Sequence, residues 1–227
     1  MDTENQINNV IKGYNMLLYF AGSMLLYEPS EECVADFWTN DLLKKLPVSS
    51  SNPNFIKAAN QLKDSCIDRV LCAKMLREDY IRLFTRKRHP LAPAYESFYR
   101  KTGLINRDIR QSSATDFYNS YGWKSKFNAK VKDDHLAIEL LFLTRLIDKY
   151  IVLDDIPCQS EMGKEIRRFI DNHILSWVPV WNKNMQLHSK TLSFKGLGTL
   201  ILACSEDLFS MFDSSLSIEN PINALKN

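Results

Sequence analysis

DDHLAIELLFLTRLIDKYIVL, residues 133–153, carries the pattern that decides the fold class. Two aspartates and a histidine stand before an apolar run. That run holds a single glutamate, Glu139, one helical turn after His135, and its apolar residues recur with helical periodicity to about Leu153. The same period governs most of the chain. No segment alternates with the two-residue period of a strand, and there are only seven glycines among 227 residues to supply the positive-φ turns that hairpins need. An all-α fold is expected.

Outward from that stretch the helices follow one another. Thr3 and Gln6 have the spacing of a capping box, and Ile7, Val10, Ile11, Tyr14, Leu17, Leu18, Ala21, Met24 and Leu25 form a stripe that ends before Pro29. Ser30 is positioned to cap a second helix with Glu31 and Glu32 in its first turn and Val34, Phe37, Trp38, Leu42 and Leu46 facing inward. SSSNPN, residues 49–54, reads as a loop, and a helical stretch runs from Pro53 to about Thr85 with a break near Ser65. Its second half carries the stripe Leu76, Tyr80, Leu83 and Phe84.

Between residues 86 and 112 the pattern fails. Two prolines, a basic cluster and three aromatics predict a long ordered loop with a short helical piece. Helical spacing resumes over 113–121, with Gly122 as a C-cap, and again over 134–153, 160–176, 180–187 and 192–212. With no internal repeat and no low-complexity tract, residues 1–227 read as one helical domain with a core over about 3–212 and a tail over 213–227.

Composition narrows the functional classes. A net charge of +2, from 29 basic and 27 acidic residues, provides no global field for nucleic acid or an anionic membrane. No apolar run approaches the ~20 residues of a membrane span, and the N-terminus lacks a signal-peptide pattern, so a cytoplasmic protein is expected. Cys33, Cys66, Cys72, Cys158 and Cys204 form no C-x-x-C, which predicts reduced, mostly buried thiols.

His135 and Glu139 lie one turn apart and could both touch a metal, but two ligands do not make a site, and His89, His173 and His188 sit in unrelated segments. Acid/base catalysis by the pair needs a pocket that nothing else in the sequence marks. KGLGT, residues 195–199, is a lone G-x-G with no preceding strand, so helix packing is its expected meaning. Trp177 and Trp181 flank Pro179 at a helix junction and read as core packing at a bend. Leu140 and Leu141 are expected in the core, and Asp134 is a candidate N-cap. No cofactor and no catalysis are expected.

Four motifs in order, LREDYIRLF (76–84), PAYESFY (93–99), DDHLAIELLFL (133–143) and HILSWVPVW (173–181), resemble the TorD/DmsD/NarJ family of cytoplasmic chaperones for molybdenum oxidoreductases. The resemblance covers about residues 10–212. It implies a non-catalytic all-helical protein that binds the twin-arginine leader, and in some members the body, of a molybdopterin enzyme. Such a protein delays export of its client and assists cofactor insertion. It further implies a monomer or a domain-swapped dimer.

Carried over residue by residue, the family's motifs fall on Asp134 and His135, on Pro93, Glu96, Ser97 and Tyr99, and on Tyr80, Leu83 and Phe84, with Trp177 and Pro179 at the bend. The chain departs from the family in having Lys132 where proline is usual and Tyr95 where several relatives have tryptophan. A receptor for two arginines and an apolar stretch needs local carboxylates beside aromatic faces. Asp133, Asp134 and Glu96 are the candidate carboxylates, and Tyr95, Phe98, Tyr99, Tyr121 and Trp123 the candidate faces. A helical adaptor or regulatory scaffold without leader binding is the alternative.

Overall fold

The last long helix of the chain, Leu192–Met211, is the one around which the others are arranged. The computed structural model describes residues 2–34, 43, 45–66, 68–86, 89–101, 113–127 and 129–213. In chain order the helices are α1 (Asp2–Leu26), α2 (Glu31–Val34), α3 (Pro53–Lys63), α4 (Arg69–Tyr80), α5 (Glu96–Lys101), α6 (Ala114–Ser120), α7 (Leu136–Ile151), α8 (Ile156–Phe169), α9 (Val178–His188) and α10 (Leu192–Met211). No strand occurs among the described residues, where one isolated bridge joins Tyr95 to His135. The fold is all-α, as the periodicity implied.

α10 is buried on several sides because its small residues admit close neighbours. A Cβ at Gly196 would stand 2.9 Å from the Leu62 side chain of α3, and one at Gly198 would stand 2.8 Å from Asn182 Oδ1 of α9. KGLGT is therefore a packing motif, in keeping with its sequence reading. The start of α10 is pinned by Asp79 of α4, a buried carboxylate that accepts the backbone N–H groups of Lys190 at 3.0 Å and Thr191 at 2.9 Å, and the Thr191 hydroxyl at 2.8 Å. Thr191 in turn caps α10 by accepting from Phe194 N–H. A second layer forms where α7 lies between α1 and α8.

Two helices end in π turns, Ile81–Thr85 after α4 and Ile170–Leu175 after α8. Widening of the first turn coincides with a cross-link, since Arg82 and Leu83 carbonyls accept the N–H groups of Leu91 at 3.3 Å and Ala92 at 3.0 Å. Trp181 Nε1 donates to the Ala92 carbonyl at 3.2 Å. The loop of residues 89–95 is thereby tied to both α4 and α9.

Several expectations shift. α1 already begins at Asp2, which puts Thr3 inside the helix and not at its cap. α8 starts at Ile156 and not near Ser160, because Asp155 accepts Cys158 N–H at 2.8 Å and Pro157 fits the first turn. Cys66 and Cys72 are joined in a disulfide across the turn that precedes α4, so the expectation of free thiols fails for this pair; Cys204 is free and buried, Cys158 free and exposed. Phe37, Trp38 and Leu42 of the second helix, residues 102–112 of the long loop and 214–227 of the tail lie outside the described residues.

Candidate functional site

The residues singled out by the sequence meet where the chain enters α5 and α7. Glu96 N–H donates to the Asp134 carbonyl at 3.0 Å, and Leu136 N–H donates to the Ala94 carbonyl at 2.9 Å. These two bonds pair Tyr95 with His135, whose rings meet edge to face with centroids 4.8 Å apart. The PAYESFY loop and the DDH turn, 38 residues apart at Tyr95 and Asp133 (133 − 95), thus form one surface.

Each residue of the DDH turn has a distinct task. His135 is the N-cap of α7, its Nδ1 accepting Ala137 N–H at 3.1 Å, which leaves the ring proton on Nε2. Burial holds its pKa down to about 4 against the opposing pull of Asp134, so the ring is neutral near pH 7 and keeps its acceptor. Asp134 does not cap its own helix. Its Oδ2 instead accepts Ser97 N–H at 3.0 Å, placing a carboxylate at the N-terminus of α5. Asp133 offers its carbonyl to the Tyr118 hydroxyl at 3.1 Å. Both aspartates remain half-buried, within reach of solvent, as does Tyr95.

Behind this edge lies a buried polar cluster. Glu96 is buried and accepts from Arg100, Nε to Oε1 at 2.9 Å, while its Oε2 faces His173 Nδ1 at 3.4 Å. Glu139 is wholly buried, and among the described residues neither carboxyl oxygen has a hydrogen-bond partner. Burial, with Glu96 and Asp134 as neighbouring negative charges, pushes its pKa well above the usual carboxylate range, opposed by Trp177 and Arg100. The neutral acid is the form this environment favours. The sequence allows Glu139 to be a solvated edge; the signal that could have found its burial is its place between Ile138 and Leu140 within an apolar run. His173, fully buried and with no partner for Nε2 among the described residues, had no such signal.

Tyr99 is also buried, stacked on Trp177 with centroids 5.3 Å apart and in contact with Asn184 through its hydroxyl at 3.4 Å. Trp177 Nε1 donates to the His173 carbonyl at 2.7 Å, and Pro179 sits in the first turn of α9, so the HILSWVPVW bend is core packing. Tyr80 donates to the Leu25 carbonyl at 3.1 Å, Leu83 is buried, and Phe84 meets Phe194 edge to face. Ser97 takes part through its backbone, and Phe98 is exposed against Tyr99.

Tyr121 and Trp123 connect to the Asp133–Asp134 edge through Tyr118. Tyr118 stands between, touching Trp123 at 5.0 Å between centroids and Asp133 through its hydroxyl. Trp123 lines a groove of about 910 Å³ between α1 and α7, and with Tyr121 it lines an adjoining cavity of about 440 Å³. The Tyr121 hydroxyl bonds Glu165 at 3.2 Å, and its pKa is pushed up to about 12 by burial and by that carboxylate. Among the described residues no group of three or more His, Cys, Asp or Glu is placed to hold a metal. None of the described helices is long and apolar enough to cross a membrane.

Comparison with known proteins points the same way. The family model described as nitrate reductase delta subunit matches residues 50–182, a span that contains both the loop and the DDH turn. A chaperone protein TorD from Vibrio cholerae serotype O1 is 25% identical over 175 residues, covering 73% of this chain and 76% of the relative. A chaperone protein TorD from Vibrio parahaemolyticus is 24% identical over 191 residues, covering 82% of this chain and 88% of the relative. No solved structure matches at the same level.

Proposed function

This chain belongs to the nitrate reductase delta subunit family, the TorD/NarJ family, and on that premise we propose that it is a maturation chaperone for a molybdenum oxidoreductase, with no catalytic step of its own. It acts in the cytoplasm as a single domain, receiving the twin-arginine leader of its client before export and cofactor insertion. The observation that carries this reading is the half-buried edge on which Asp134, its carbonyl bonded to Glu96 N–H, stands beside Tyr95, with Asp133, also half-buried, next to it in the chain. Guanidinium groups bind carboxylates bidentately and stack on aromatic faces, so a leader arginine is matched in both respects.

Within this proposal Asp133, Asp134 and Tyr95 touch the leader. His135, Glu96 and Tyr99 hold those residues in place because their polar and aromatic groups are buried, and Ser97 does so through its backbone N–H to Asp134. Tyr121 and Trp123 lie on the far side of Tyr118 and serve the apolar part of a client segment. Titration of the protein with the leader peptide of a co-encoded oxidoreductase tests the reading. Binding should weaken with salt and on replacing both leader arginines by alanine. Unchanged affinity for the alanine peptide would remove the arginine-carboxylate contact from the proposal.

A further inference from the structure

The seam between α1 and α7 opens outward into the groove of about 910 Å³. From α1 it is lined by Asn15, Met16, Tyr19, Phe20 and Ser23, and from α7 by Leu141, Thr144, Arg145 and Asp148. Those positions recur at helical steps on both sides, and Asn15 to Ser23 rises about 12 Å, so the seam runs straight for about two turns. A trough between two packed helices is the shape that a third helix fills. Met16 and Tyr19 are 64% and 59% exposed there, beside the half-buried Leu46, Trp123 and Phe127. Large apolar side chains left together in water mark a docking surface.

The charge on the rim says what kind of partner fits. Among the described lining residues, Lys45, Lys124, Lys126 and Arg145 are exposed cations. The one carboxylate among them, Asp148, accepts from Asn15 at 2.7 Å and stands 3.8 Å from Arg145. This rim is opposite in sign to the Asp133–Asp134 edge, and two leader arginines would be repelled by it. We infer that the groove docks an amphipathic helix whose apolar stripe lies along the α1–α7 seam and whose acidic flanks face Lys45, Lys124, Lys126 and Arg145. Naming the client's mature body as the source of that helix rests on the chaperone reading; the chemistry of the groove does not.

Two peptides of about 18 residues, long enough to hold helix, test the inference on the full chain. They share one Leu/Phe stripe at i, i+3, i+4 and i+7, with glutamate flanks in one and lysine flanks in the other. Calorimetry should give roughly ten-fold or greater preference for the glutamate peptide, shrinking with salt. Lys124→Glu with Lys126→Glu should reverse the preference while leaving the melting temperature and leader affinity unchanged. Equal binding of the two peptides, no binding of the glutamate peptide, or an unreversed preference in the double variant overturns the inference. Displacement of the peptide by anionic vesicles, or a dimer that Tyr19→Glu dissociates, would assign the groove to a lipid surface or a second copy and overturn it likewise. Glutamate-peptide binding as expected with no leader binding would leave the groove standing and sink the chaperone reading instead.

Discussion

The carboxylate of Asp134 accepts the backbone N–H of Ser97 at 3.0 Å, so a residue at the mouth of α7 caps a helix 37 positions earlier in the chain. An anionic acceptor at a helix N-terminus contributes about 1–2 kcal/mol. Asp134→Ala should therefore lower stability by about that amount in urea titrations. Asp134→Asn keeps an acceptor and should cost under about 1 kcal/mol. Leader binding separates the roles: loss in Asp134→Asn with stability retained signals direct contact, whereas loss that follows stability alone signals that Asp134 acts only through α5.

Glu139 sets a second expectation. Its folded-state pKa is raised by burial first and by Glu96 and Asp134 next, so the stability associated with its neutral form is complete below the unfolded value near 4.5 and declines as pH rises toward the folded value. Glu139→Gln keeps the shape and removes the ionisation. The variant should match wild type near pH 4 and become the more stable protein from pH 5 upward, the gap widening by at most about 1.4 kcal/mol per pH unit. Equal urea midpoints for the two proteins across pH 5–8 would show that Glu139 ionises without cost.

Leu140 and Leu141 part company. Leu140 is fully buried, and its truncation to alanine should cost about 2–5 kcal/mol. Leu141 is half-buried on the groove wall, so Leu141→Ala should cost less than about 1.5 kcal/mol and show its effect in glutamate-peptide binding instead. Thermal melts of the two variants side by side check the contrast.

At Gly198 a methyl group would meet Asn182 Oδ1 at 2.8 Å and Met185 Cβ at 3.1 Å. Alanine usually stabilises a helix by about 0.5–1 kcal/mol over glycine, but overpacking costs about 1–3 kcal/mol. Gly198→Ala should thus destabilise on balance. A raised melting temperature would mean that α9 can move away from α10 at little cost.

Much of this arrangement was readable in the sequence, and what escaped did so for identifiable reasons. Apolar periodicity located α1, α7 and α10, and Ser113 with Gly122 bracketed α6 as expected. The capping roles of the DDH turn were not readable, because aspartate is the more usual cap and only the paired loop draws Asp134 away to Ser97, leaving His135 to serve α7. Glu96 has the spacing of a surface i,i+4 pair with Arg100, yet is buried because the π turn after α8 brings His173 up against it. Leu141 belongs to a stripe that helix periodicity assigns to the core, whereas its partner surface is an open groove, and Trp123, read as a stacking face beside the carboxylates, lines that same groove beyond the end of α6. Cys66 and Cys72 are close in space only because the chain turns between α3 and α4.

The central place of α10 also bears on synthesis. Its neighbours α1, α3 and α9 all leave the ribosome earlier, and each buries apolar residues against a helix translated later than itself. Until Leu192–Met211 emerges, those faces stay wet and the Asp79 carboxylate lacks the Lys190 and Thr191 amides it later holds. A nascent chain arrested before residue 192 should be protease-sensitive in α3, α4 and α9, and release of the complete chain should bring protection to these helices in one step.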